Sequence, residues 1–203
     1  MEGLSKYPLD SDFPSHQWLL QLPAKRLIYQ DIYGKLLEST GKRILDIGGG
    51  FCGLSRELIK RHDYTLLDFI AHGDRSRLRT ISSENGGFWI DSDWNDYDVG
   101  KKYDYVIAND IFPNVDQRLK LFINKFKPYA NKIFMTITCY DRDRYYTVKR
   151  LDADEIFTIV PWSSDITEMI LRKSIPNSGI VFPTPSDGES LFANGRIIYR
   201  VDV

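Results

Sequence analysis

The stretch Arg43-Ile44-Leu45-Asp46-Ile47-Gly48-Gly49-Gly50-Phe51-Cys52-Gly53 decides the fold. Its first five residues read as a short buried strand, two small apolar pairs around one carboxylate. Three consecutive glycines follow, as in a tight turn where backbone comes close to a ligand. Residues 54–61 then place Leu54, Leu58 and Ile59 on one helical face. Strand, glycine turn and helix open a nucleotide-binding α/β unit. Gly48, Gly50 and Gly53 satisfy the Gly-x-Gly-x-x-Gly pattern of dinucleotide sites. Asp46, two residues before Gly48, argues against that ligand: it would repel a pyrophosphate and suit a cationic amine.

The run Leu45-Asp46-Ile47-Gly48-Gly49-Gly50 resembles motif I of the class I S-adenosylmethionine (SAM)-dependent methyltransferases. The family usually carries a third glycine where Cys52 stands, with Gly53 one step later. The resemblance is specific over residues 43–138 and only topological beyond. It implies a Rossmann-like α/β fold with a seven-stranded, mostly parallel sheet and helices on both faces. It also implies SAM as cofactor, S-adenosylhomocysteine (SAH) as product, and Asp46, Gly48, Gly49 and Gly50 at the cofactor.

The rest of the chain extends this pattern. Residues 64–69 read as a second buried strand ending in Asp68, 22 residues after Asp46 (68 − 46). A carboxylate there can accept both ribose hydroxyls, and Phe69 would neighbour the adenine. Phe88 to Ile90 is a third strand. After it, the resemblance assigns the adenine contacts to Asp93 and Trp94, with Asp91 as the alternative. Tyr103 to Ala108 is a fourth strand with Asn109 and Asp110 at its carboxyl end. Ligands of open parallel sheets sit at such ends, so Asp46, Asp68, Asp93 and Asn109/Asp110 are expected on one sheet edge. A helix over 115–129 and a fifth strand over 132–138 follow.

The termini depart from the minimal plan. Residues 1–14 read as an extended arm, and 15–22 and 24–38 as helices. Residues 1–40 together are expected to form a helical lid. Strands over 145–150 and 155–160, joined by a turn at 152–154, read as a hairpin inserted within 140–162. A helix capped at Ser164-Asp165, with Glu168 completing a capping box, precedes strands at 179–182 and 196–203.

Composition bounds the function. The 203 residues fit one domain with a real core, and the formal net charge of −1 excludes a bulk nucleic-acid binder. Cys52 and Cys139 match no metal spacing, so no metal is expected and a reduced, cytoplasmic setting is the simplest reading. No apolar run approaches the ~20 residues of a membrane span. The expected partner is a small-molecule substrate; oligomeric state is left open.

The expected reaction is in-line displacement at the sulfonium methyl. Asp110 is the candidate general base and His16 the second. Arg26, Tyr29, Tyr140 and Arg144, with Lys25, Arg142 and Tyr145, suit a small anionic acceptor. The Asn109-Asp110-Ile111-Phe112-Pro113-Asn114 run and the Asp93-Trp94 loop resemble the O-methyltransferases acting on phosphoramidate groups of bacterial capsules. That resemblance implies an oxygen acceptor in capsule biosynthesis. Absence of an Asn-Pro-Pro-Tyr run speaks against amino methylation of bases or glutamine. Methylation of O or N in another small metabolite or sugar intermediate is the alternative. A SAM-binding protein without turnover and an NAD-dependent oxidoreductase complete the field.

Overall fold

The computed structural model describes residues 1, 3–70, 73–140, 145–149, 156–176, 179–181 and 195–203. Arg142, Arg144, Phe182 and the 152–154 turn lie outside them. Two compact units, Met1–Ile107 and Ala108–Val203, are taken in turn.

The first unit holds α1 (Pro14–Gln21), α2 (Pro23–Leu37), β1 (Arg43–Ile47), α3 (Gly53–Arg61), β2 (Asp63–Leu67), α4 (Arg75–Glu84), β3 (Trp89–Ile90) and the start of β4 (Tyr103–Phe112). Both β1 and β2 are buried at every position after the first, as parallel strands covered on both faces are. They pair in parallel from Arg43↔Asp63 to Ile47↔Leu67, and β3 joins β2 through Leu66↔Trp89. The strand order β3-β2-β1-β4 reverses direction at β1, whose carboxyl end carries the glycine turn.

The arm is not extended as the sequence suggested. It winds into two short 3-10 helices, Leu4–Lys6 and Pro8–Asp12. Leu4 and Phe13 are buried, and the Phe13 ring packs edge-on against Phe51, which stacks on Phe88. Asp10 is fully buried and accepts the Arg56 Nε–H at 2.8 and 2.9 Å. The arm is therefore fastened to α3 by an apolar cluster around a charge pair, a combination that favours one fixed path over an extended chain.

The second unit holds the rest of β4, then α5 (Leu119–Phe126), β5 (Ala130–Tyr140), β6 (Tyr146–Lys149), β7 (Ile156–Ile159), β8 (Trp162–Ser163), α6 (Ser164–Ser174), β9 (Gly179–Val181) and β10 (Arg196–Asp202). The sheet continues β4-β5-β10-β9, giving seven strands in line, with β8 paired to the end of β5. β10 runs antiparallel to both neighbours, and β6 and β7 form the expected hairpin as a separate two-stranded sheet.

Three boundaries differ from expectation. β4 continues through Phe112, so Asn109 and Asp110 lie within it. α5 starts at Leu119 instead of 115, because the Val115 and Asp116 N–H groups both turn back to the Ile111 carbonyl. Asp116 also accepts the Arg118 N–H at 2.7 Å, a local bond that competes with helix. α6 is capped by Ser163, whose hydroxyl accepts the Ile166 N–H. Glu168 pairs with Arg172 one turn on, so the capping box on Asp165 does not form.

Candidate functional site

The glycine turn is built by its own backbone. Gly48 and Gly50 have φ of 64° and 68°, a region that glycine enters without steric cost. Cys52 has φ −161°, which any residue adopts, so a glycine is not needed there. Instead, Cys52 caps α3 reciprocally with Ser55. The Ser55 hydroxyl accepts the Cys52 N–H at 3.3 Å and donates to the Gly50 carbonyl at 3.2 Å.

Asp46 does not sit in the turn with a carboxylate open to an amine. It is the fourth residue of β1 and 2% exposed. Its two oxygens accept the hydroxyls of Tyr33 at 3.1 Å and Tyr64 at 2.8 Å. A Cβ on Gly49 would lie 2.5–2.7 Å from the Asp46 carboxyl group. Asp46 is thus a strut beneath Gly49, and the cofactor contact expected of it gives way to that support.

Burial pushes the Asp46 carboxyl up to about 7; the two tyrosine hydrogen bonds oppose this and the nearby Asp68 charge adds to it. An unfolded aspartate titrates near ~3.9. Between those values the folded chain keeps a proton that the unfolded chain has lost. The stability from this site is therefore fully present below the unfolded value and falls as pH rises towards 7, by up to roughly 4 kcal/mol. In Asp46→Asn this dependence is absent. Thermal melts from pH 5 to 8 should show the variant gaining on the unmodified protein as pH rises; a constant gap would contradict the assignment.

Asp68 stands just past β2. Its Oδ2 accepts the Gly50 N–H at 2.9 Å and its Oδ1 accepts the Ile70 N–H at 2.8 Å. One carboxylate thus ties the glycine turn to the end of the second strand. Ile70 has φ 48°, uncommon for a β-branched residue and a form of strain that concentrates at ligand sites. Phe69 is 49% exposed. Asp93 accepts the Asn95 N–H at 2.7 Å and shapes the following turn, and Trp94 is buried. Asp91 is ion-paired with Arg75.

The start of α1 covers the turn. Ser15 Oγ lies 1.8 Å from where a Cβ on Gly50 would stand. His16 is 1% exposed, and its Nδ1 accepts the Gly53 N–H at 3.0 Å. The general-base role expected of His16 fails on this bond: with Nδ1 accepting, the neutral ring carries its proton on Nε2 and has no vacant lone pair.

Two acceptor candidates are likewise reassigned. Arg26 donates to the Leu19 and Leu20 carbonyls at 3.0 and 2.8 Å, capping the end of α1. Tyr29 is buried beside Tyr33, with ring centroids 5.4 Å apart. Lys25 lies over the Trp18 ring.

In the second unit, Asn109, Asp110, Thr136, Thr138 and Arg196 form one polar cluster. Thr136 Oγ1 accepts the Asp110 N–H at 2.9 Å and donates to Asn109 Oδ1 at 2.7 Å. Asp110 has φ 64°. Its Oδ1 accepts Asn114 Nδ2 at 2.6 Å, Thr138 Oγ1 at 2.7 Å and the Arg196 guanidinium. With three donors on one oxygen, Asp110 is an anchor for β5 and β10. Asp110→Asn should cost about 2 kcal/mol by weakening hydrogen bonds to a charged group. A lowered melting temperature is the readout; an unchanged one would mean the cluster holds without the charge. Tyr140, the last residue of β5, is buried and does not present a surface to an acceptor. Tyr145 is exposed, and Arg144 lies outside the described residues.

Sequence reasoning missed Tyr64, Ser15, Thr136, Thr138 and Arg196. Alternation along β2 was the available signal for Tyr64; the others had none.

No protein-family model matches the chain, and no curated protein matches it. Solved structures do. A S-adenosylmethionine-dependent methyltransferase from Clostridium acetobutylicum ATCC 824 is 13% identical with a TM-score of 0.56, covering 98% of both chains. The N-methyltransferase NodS from Bradyrhizobium japonicum WM9, in complex with SAH, is 11% identical with a TM-score of 0.57, covering 98% of this chain and 97% of that one. A 1,6-didemethyltoxoflavin-N1-methyltransferase from Burkholderia thailandensis, bound to that compound and SAH, is 13% identical with a TM-score of 0.55, covering 98% and 83%.

The fold is that of the class I SAM-dependent methyltransferases.

Of the expected cofactor residues, the structure hydrogen-bonds Gly50 to Asp68 and packs Gly49 against the Asp46 carboxyl group. Among the described residues no three His, Cys, Asp or Glu side chains are placed to hold a metal. No helix among them is long and apolar enough to cross a membrane.

Proposed function

We propose that this protein is a SAM-dependent methyltransferase acting on oxygen or nitrogen of a small molecule. The single observation that carries the reading is the glycine turn after β1, left-handed at Gly48 and Gly50 and tied to Asp68. The residues fit SAM there. Gly48–Gly50 give close backbone approach. Asp68 holds a carboxylate beside the turn, the group that accepts ribose hydroxyls in sites of this kind. Phe69 offers an exposed ring to the adenine. Trp94 with Asp93 follows β3 as the resemblance implies, and His16 supplies a buried polar atom beside the turn.

Bound SAM supplies an electrophilic sulfonium methyl. This chain's contribution is to hold the cofactor, cover the turn with the start of α1 and exclude water from it. The acceptor is wider than the sequence suggested. Arg26 is engaged in capping α1 and Tyr29 and Tyr140 are buried, so these three no longer favour a small anionic acceptor. The structural neighbours named above include two nitrogen methyltransferases.

Calorimetric titration tests the cofactor: SAM and SAH bind and NAD does not. Binding of NAD without SAM would overturn the reading. Release of SAH in a screen of small alcohols, amines and phosphorylated compounds then identifies the acceptor class; absence of turnover with every class would favour a binding protein.

A further inference from the structure

The corner between α1 and α2 carries apolar side chains outward. Trp18, Leu20, Leu22 and Leu27 are each 40–59% exposed, and Pro23 among them is exposed as well. A single exposed leucine is ordinary, but a cluster of large apolar groups in one short stretch marks an interaction surface. From Trp18 to Ala24 the one polar side chain is Gln21.

The corner is held in place from behind. The Leu22 N–H donates to the Trp18 carbonyl and closes α1. Arg26 reaches back to the Leu19 and Leu20 carbonyls. Leu19, Ile28 and Tyr29 turn inward and are buried. The outward groups are therefore presented on a fixed base.

Charge says what such a surface meets. Between Asp12 and Asp31 the chain has no acidic residue, while Lys25 and Arg26 supply two positive charges. Lys25 Nζ lies 5.8 Å from the centroid of the Trp18 ring, so a cation stands beside the largest apolar group. Leucines suit the edge of a hydrocarbon layer, tryptophan suits its boundary with water, and cations suit lipid phosphates. A two-fold dimer through this corner would bring the same two cations towards their own copies, which disfavours a second copy of the chain.

We infer that the α1–α2 corner is a docking surface for an anionic lipid bilayer, holding the protein at the membrane surface without spanning it. Leu20 and Leu22 enter the interface, Trp18 and Leu27 flank them, and the charges of Lys25 and Arg26 stand at the level of the headgroups. Ser15, over the glycine turn, precedes Leu22 by about 10 Å of helix, so docking keeps the candidate site within short reach of lipid.

Co-sedimentation with vesicles tests the inference and needs no SAM, so its result stands apart from the cofactor reading. The unmodified protein should bind vesicles of equimolar phosphatidylcholine and phosphatidylglycerol, and pure phosphatidylcholine much more weakly. The double variant Leu20→Ser/Leu22→Ser should bind the anionic vesicles at least about tenfold more weakly. Lys25→Glu should lose roughly fivefold or more on anionic vesicles and nothing on neutral ones. Leu121→Ser, at an exposed leucine of α5, should bind as the unmodified protein does. No binding by the unmodified protein, or equal binding to both vesicles, overturns the inference. So does undiminished binding by the double variant, or an equal loss in Leu121→Ser. A dimer in sedimentation velocity that the double variant loses, without vesicle binding, assigns the corner to a second copy and overturns it too. If the double variant does not fold, lipids brominated on their acyl chains decide. They should quench the fluorescence of the unmodified protein more than that of Trp18→Phe; equal quenching overturns the inference.

Discussion

Gly50→Val is expected to abolish SAM binding under conditions where the unmodified protein binds it. Two effects act at once. Gly50 has φ 68°, and a β-branched residue there is a steric outlier. A Cβ would also stand 1.8 Å from Ser15 Oγ and 2.7 Å from Ser15 Cβ, too close for any rotamer of Ser15 to relieve. The start of α1 must move, or the turn must flatten and withdraw its N–H from Asp68. Gly86→Val separates strain from contact. Gly86 has φ 82° and nothing within 4 Å of an added Cβ. It should lose about 1–2 kcal/mol of stability and bind SAM normally. Normal SAM affinity in a folded Gly50→Val protein would mean that the turn does not meet the cofactor.

The second large effect is at Asp68. Asp68→Ala should weaken SAM binding by roughly tenfold to more than a hundredfold, since each hydrogen bond to a charged group contributes about 1.5–3 kcal/mol. The amides of Gly50 and Ile70 lose their acceptor together with whatever the carboxylate offers the ribose. Asp68→Asn retains one acceptor oxygen and should fall between the two. Calorimetry gives the affinities, and a melt of each variant measures the accompanying loss of stability. If Asp68→Ala binds SAM as the unmodified protein does, the residue serves only the loop, and the ribose must be held elsewhere.

These two sites were legible in the sequence because each is a local pattern. Buried parallel strands are runs of apolar residues, and a left-handed turn requires glycine, so 43–53 and the acid after 64–67 announce themselves. Asp46 shows the limit of such reading. Its type and position were visible, but its surroundings come from Tyr33, 13 residues earlier, and Tyr64, 18 residues later. No local spacing tells an open carboxylate from one between two tyrosines. His16 is similar: its role depends on Gly53, 37 residues away.

Helix ends failed for another reason. Ser163, Ser164 and Asp165 can each cap a helix, and the choice among them is made by where β8 delivers the chain. Arg26 looked like an anion ligand because a guanidinium is drawn to any acceptor, and the nearest were the carbonyls of α1. Asp110 was expected just past the fourth strand and lies inside β4. Its partners, Thr138 and Arg196, lie 28 and 86 residues further on, and they make it an anchor.

The arm has a consequence for the order in which the chain is made. Residues 4–13 leave the ribosome before the residues they pack against, carrying Leu4, Phe13 and the carboxylate of Asp10. Their partners come later: Phe51 and Arg56 after some forty further residues, and Phe88, which completes the aromatic stack, after about seventy-five. At about 5–20 residues per second, the arm waits for some seconds with its apolar groups in water. During that time it is open to chaperones and to proteolysis. The arm that is fastened to α3 in the finished molecule is thus made well before the residues that hold it.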